Sequence, residues 1–130
     1  VLFGVEVAPR VAREFVDRLV KHRRNVIPIV ADARKPEKYP SIYGKADVVY
    51  CDIAQPDQTE IAIVNSIRYL KNGGNLLLVV KSRSIDVTKE PKAVFKQEEA
   101  KLEEAGFQVK QVLNLEPYDK DHVLIHAVCK

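Results

Sequence analysis

From Asn75 to Val80 the chain reads NLLLVV, apolar at odd and even positions alike, and Lys81 follows. Successive side chains of a strand point to opposite faces, so a run that is apolar on both needs cover on both. That demand predicts a central parallel strand with helices packed on each side.

The flanking segments supply such helices and further strands. Leu2–Val7 is a short apolar run with Glu6 near its end, and Pro9 then opens a stretch in which Ala12, Phe15, Val16, Leu19 and Val20 recur at helical spacing. Val26–Ala31 ends at Asp32. A Pro-rich polar segment holding a short helix runs through Gly44, and Asp47–Cys51 then ends at Asp52. Pro56 begins a second helix carrying Ile61, Ala62, Val64, Asn65, Ile67, Arg68 and Leu70, closed by Asn72, Gly73 and Gly74 as the stop expected past a helix C-terminus. After a polar stretch from Ser82 to Glu90, Pro91 opens a third helix with Val94, Phe95, Leu102 and Ala105 on one stripe and Gly106 as its stop. Gln108–Leu115 and His122–Val128 read as strands whose short connection predicts an antiparallel hairpin. The order predicts a layered α/β domain with a mostly parallel sheet and an antiparallel last strand.

Composition agrees with one folded domain over residues 1–130, with 46% hydrophobic and 30% charged residues. No apolar run approaches the roughly 18–20 residues that cross a bilayer, so no membrane partner is expected. The N-terminal VLFGVEVAPR has neither a basic region before an apolar stretch nor a small-residue cleavage site, so a secretory leader is not expected. The chain begins in a strand without Met, and a piece of something longer is expected. Cys51 and Cys129 lack CxxC spacing and predict buried, reduced, inert thiols. His22, His122 and His126 have no metal-ligand spacing, and no metal is implied. The net charge of +3 names no partner, so the placement of the charges has to.

Right-handed crossovers bring the C-terminal ends of parallel strands to one edge, where ligands bind in such folds. Glu6, Asp32, Asp52 and Lys81 stand at those ends. Glu6 can accept two ribose hydroxyls or cap the helix after it. Asp32, with Ala33, can meet an adenine amino group or form a turn before Arg34 and Lys35. Asp52 and Lys81 end adjacent strands about 5 Å apart, either as a reactive pair or as an ion pair tying two strand ends. Arg10, Arg34, Lys35, Arg83, Lys89 and Lys92 fall in the loops of the same edge, suited to nucleic-acid phosphates or simply solvated.

The octapeptide Asp52-Ile53-Ala54-Gln55-Pro56-Asp57-Gln58-Thr59 has no generic structural motif behind it. With Val5–Arg10, Ala31–Arg34, Lys81–Thr88 and Pro117–His122, it resembles the fibrillarin family of S-adenosylmethionine-dependent RNA 2′-O-methyltransferases. The five stretches occur in order and extend over essentially the whole chain, and the absence of a Gly/Arg-rich tail suggests an archaeal-type member. The resemblance implies a class I methyltransferase (Rossmann-like) sheet in which these strands are the second to seventh. The first strand, its glycine-containing loop and a small N-terminal β-domain are missing. Without that central strand, two half-sheets with unpaired edges are expected.

It also implies that Glu6 holds the ribose of S-adenosyl-L-methionine, that Val7 packs on the adenine where the family often has Phe, and that Asp32 and Ala33 contact that base. Asp52, Ile53, Ala54 and Gln55 would flank the methionine end, with Asp52 and Lys81 as the catalytic pair. Lys81 acts as a proton acceptor only where desolvation disfavours its charged form, whereas Asp52 favours it. A charged Lys81 that orients the ribose, with Asp52 fixing lysine and hydroxyl, is therefore preferred. Partners implied are a box C/D guide RNA, target rRNA or tRNA, a coiled-coil scaffold protein and, indirectly, a kink-turn RNA-binding protein. The implied location is intracellular, cytoplasmic in an archaeon and nucleolar in a eukaryote. A noncatalytic assembly module is the rival reading. A nicotinamide-dependent oxidoreductase fits poorly, because no dinucleotide loop occurs.

Overall fold

The computed structural model describes residues 1–39 and 45–130, and these form six strands and four α-helices. The end of the polar segment expected through Gly44 lies outside the described residues. The chain divides into two compact units, Val1–Ser41 and Ile42–Lys130, each with its own sheet.

In the first unit, β1 (Leu2–Glu6) and β2 (Val26–Val30) pair in parallel, with Glu6 opposite Val30. Helix α1 (Pro9–Arg18) starts at Pro9, where the missing N–H costs nothing and the fixed φ suits a first turn. Its Ala12 is buried, and its Phe15 ring lies against β1 at Gly4. A Cβ on Gly4 would stand 2.6 Å from the ring's Cζ, so glycine permits the contact.

The second unit orders its strands β3-β4-β6-β5: β3 (Ala46–Cys51), β4 (Leu70–Lys81), β6 (His122–Cys129) and β5 (Phe107–Asn114). The β3–β4 ladder is parallel, while β4–β6 and β5–β6 are antiparallel. Three of the four strands run the same way and only the last, β6, is reversed, as expected, although most ladders are antiparallel. The hairpin reverses β6, and because β6 inserts between β4 and β5, both of its ladders are antiparallel although β5 runs with β3 and β4.

Helix α2 (Gln58–Tyr69) begins two residues after Pro56, and α4 (Pro91–Glu104) begins at Pro91 as expected. A short helix, α3 (Ser82–Ile85), occupies what reads as a polar loop. Leu70 is already extended and pairs with Ala46, so Gly73, at φ +77°, lies within β4 instead of ending the helix. Gly106, at φ +96°, does follow the end of α4 as a stop residue should.

The core of this unit joins Leu76, Leu78 and Val80 of β4 to Val123, Ile125 and Ala127 of β6, with Ala62 of α2 and Leu102 of α4. The alternate β4 residues turn to the other face. There Leu77 lines an open cavity of about 390 Å³ with Val48, Leu113, Leu124 and His126. Two sheets, with β1 at the edge of one and β3 at the edge of the other, match the half-sheets expected without a first strand. Both thiols are free; Cys51 is buried, but Cys129 is only half-buried.

Candidate active site

In the first unit the predicted residues gather at the C-terminal end of β1 and β2. Glu6 is the last residue of β1, half-buried, and lines a shallow cavity of about 150 Å³ with Gly4, Val5, Val11 and Phe15. Its backbone carbonyl accepts Ala31 N–H at 3.1 Å, fixing the two strand ends together. Helix α1 has no side-chain cap, so the capping alternative for Glu6 is not realised. Val7 follows as an exposed apolar residue, 61% accessible.

Asp32 turns the chain. Its Oδ1 accepts Arg34 N–H at 2.9 Å and lies 3.8 Å from the Arg34 guanidinium, the Asx-type geometry of the turn reading. Ala33 lies inside that turn. Arg10 is nearly fully exposed, 4.0 Å from Glu14, and Arg34 and Lys35 are exposed beyond β2.

The second unit holds the pair. Asp52 follows β3 directly, Lys81 ends β4, and Lys81 Nζ lies 2.6 Å from Asp52 Oδ1. Parallel pairing of Cys51 with Leu78 sets the two strand ends side by side, and the long lysine side chain closes the remaining gap. The side chains stay 21% (Lys81) and 42% (Asp52) exposed.

Tyr50 donates its hydroxyl to Asp52 Oδ2 at 3.4 Å. Burial pushes the phenol's pKa up, and the Asp52 charge and this hydrogen bond push it further, so Tyr50 remains a neutral donor. Burial likewise raises the Cys51 thiol to about 11, which keeps it inert. His122 stands opposite Lys81 in the β4–β6 register, its Nδ1 2.6 Å from the Lys120 carbonyl.

Two supports of the site lie outside the predicted set. Gln58, the first residue of α2, is fully buried. Its Nε2 donates to the carbonyls of Ile53 (2.9 Å) and Gln55 (3.0 Å), and its Oε1 accepts Lys81 N–H at 3.0 Å. Two carbonyls need a donor and one N–H an acceptor, so the amide has only one sensible orientation. Above it, Ala54 and Gln55 are exposed and Ile53 is half-buried. Asp121 is the second support, in a left-handed conformation at φ +60°. Its carbonyl accepts both Ser82 N–H (3.1 Å) and Ser82 Oγ (3.2 Å), and its carboxylate takes Arg83 Nε at 3.1 Å. These bonds pin the β5–β6 connection to the segment after Lys81. Lys89 donates to Gln97 at 3.0 Å, and both Lys89 and Lys92 are exposed.

Tyr50 was findable from sequence, since it stands two positions before Asp52 on the same strand face. Gln58 and Asp121 lie inside stretches that carry the family resemblance, but their spacing pointed to no role.

A family model described as Fibrillarin matches residues 1–130. The chain belongs to the fibrillarin family. A Saccharolobus solfataricus protein named fibrillarin-like rRNA/tRNA 2′-O-methyltransferase is 54% identical over 124 residues, 95% of this chain and 53% of that protein. The fibrillarin in a crystal structure of a fibrillarin/Nop5p complex superimposes at a TM-score of 0.94 with 39% identity, covering 100% of this chain and 61% of the other. Aeropyrum pernix fibrillarin, solved with natively bound S-adenosyl-L-methionine, gives 0.85 at 46% identity over 97% of this chain and 54% of its own. The chain thus spans about half the length of the curated relatives it matches.

Proposed function

We propose that the protein containing this chain methylates ribose 2′-oxygens of rRNA and tRNA, using S-adenosyl-L-methionine, inside a box C/D guide-RNA particle. The observation that carries this is the Asp52–Lys81 contact at 2.6 Å in a member of the fibrillarin family.

Each unit, taken by itself, carries residues whose chemistry fits a part of that cofactor. Among the described residues the half-buried Glu6 carboxylate has no hydrogen bond or ion pair, so both of its oxygens are open to a ribose diol. Val7 offers an apolar surface to the adenine. Asp32 and Ala33 border the base, Asp32 with the carboxylate oxygen its turn does not use. The exposed loop of Asp52, Ile53, Ala54 and Gln55 takes the methionine end. The cofactor, when bound, supplies a methyl group made electrophilic by its sulfonium.

Transfer needs an oxygen aligned behind that methyl, and most of the acceleration comes from holding it there. Lys81, as an ammonium ion, donates to the ribose hydroxyl. Asp52 keeps the lysine directed, and a carboxylate with about four lone-pair sites has room for the hydroxyl beside Nζ and the Tyr50 Oη, and takes up the proton the hydroxyl loses on accepting the methyl. Arg10, Arg34, Lys35, Arg83 and Lys89 meet RNA phosphates; the pairs that Arg10 and Arg34 make with Glu14 and Asp32 are exposed and weak enough to exchange, and Arg83 keeps its Asp121 bond while its side chain stays largely exposed.

The scaffold expected is a coiled-coil protein, in keeping with the relative solved with Nop5p. The guide RNA and, indirectly, a kink-turn RNA-binding protein complete the particle. An intracellular location goes with this reading, cytoplasmic in an archaeon and nucleolar in a eukaryote. Incubating the full-length protein, assembled with guide and target, with methyl-labelled cofactor tests it: label should appear on the ribose of the guided nucleotide. Label on a base, or none from an assembled particle, contradicts it.

A further inference from the structure

After Cys51 the backbone of β3 leaves the sheet, since its last ladder partner is Leu78 while β4 continues to Lys81. The β3 side of the last β4 residues therefore has no strand to pair with. Gln58 takes that place: its Oε1 accepts the Lys81 N–H, as a strand carbonyl would. Through the same amide, its Nε2 holds the carbonyls of Ile53 and Gln55, in the loop that begins at Asp52. One fully buried planar group thus ties the segment carrying Asp52 to the residue that carries the ammonium.

We infer that Gln58 is a positioning residue: its amide clamps the Ile53–Gln55 loop to the Lys81 backbone and so keeps Asp52 and Lys81 at contact distance. This rests on the methyl-transfer reading above. Gln58 touches no reacting group, and nothing in its chemistry moves a proton. Its side chain is long enough to span both segments, and only a neutral amide presents two donors and an acceptor in the required order. A shorter Asn could not reach both sides, and a Glu would turn an oxygen towards the two carbonyls.

The test uses the full-length protein in its assembled particle, with wild type and Lys81→Ala as references. Gln58→Met keeps the shape and removes all three hydrogen bonds. The expectation is a fall of about a hundredfold in kcat, the scale of a misplacement near 1 Å, with KM for S-adenosylmethionine changed far less. Gln58→Glu provides the second arm, and remains informative should the Met variant fail to fold. In its neutral form the carboxyl again offers one donor and one acceptor, so its rate relative to wild type should recover as the pH falls from 8 to 6. A group that served only folding would give no such recovery.

A folded Gln58→Met with wild-type kcat, or a Gln58→Glu to wild-type ratio that does not change with pH, overturns the proposal while the methyl-transfer reading stands. Absence of transfer by wild type itself fells that reading, and this inference with it.

Discussion

Glu6 and Asp32 are both acids at strand ends, yet their surroundings give them different work. Asp32 spends one oxygen on its own turn, whereas the Glu6 carboxylate makes no polar contact among the described residues. A carboxylate with both oxygens open can accept two hydroxyl donors of a ligand at once. Glu6→Gln in the full-length protein should therefore weaken S-adenosylmethionine binding about tenfold or more, the value of one or two charge-assisted hydrogen bonds. Calorimetry reads this directly, and unchanged affinity would remove Glu6 from the cofactor site. Asp52 and Lys81 are legible in the sequence because an apolar strand places its terminal residue wherever the sheet places its edge. Gln58 is not legible: its bond to Lys81 spans 23 positions, and a buried glutamine in the first turn of a helix looks like any polar residue near a cap. Asp121 is hidden for the same reason, being 38 positions from Arg83.

The elements themselves were largely readable, since α1, α2 and α4 each open at or near a proline and apolar spacing marks which face is buried. Where the reading slipped, tertiary pairing decided. Leu70 belongs by spacing to α2, but pairing with Ala46 draws it into β4; the polar Ser82–Ile85 turn becomes α3 once Asp121 satisfies Ser82. Between α2 and α4 lies a polar contact that spacing could not reveal. Glu98 of α4 is fully buried, and Lys101 reaches both it (2.9 Å) and Glu60 of α2 (2.8 Å). Burial pulls the Lys101 pKa down, but hydrogen bonds to Glu60 and Glu98 outweigh it, and the net direction is up. The stabilisation is thus complete below the usual lysine range and is lost as pH rises through the raised value. Removing the ammonium leaves Glu98 as an uncompensated buried charge. Lys101→Met should cost about 3 kcal/mol by urea unfolding, while Lys96→Met on the exposed side of the same helix should cost almost nothing. Equal effects would show that the buried carboxylate needs no partner.

At the scale of the whole molecule, each of the two sheets carries part of the proposed site residues: Glu6 and Asp32 on one, Asp52 and Lys81 on the other. The fold class was legible because strands that end in charged residues recur in order along the chain. The number of sheets followed only from the family resemblance, since no local pattern reports how strands divide between sheets. In the proposed function the Asp52–Lys81 contact acts as a unit, and groups that act as a unit lose activity non-additively. Single-turnover methyl transfer by the assembled full-length protein, carrying Asp52→Ala, Lys81→Ala or both, measures that coupling. Each single change should lower the rate about a hundredfold or more, with the double variant little worse than either. Losses that multiply, or a wild-type rate in either single variant, would contradict the account.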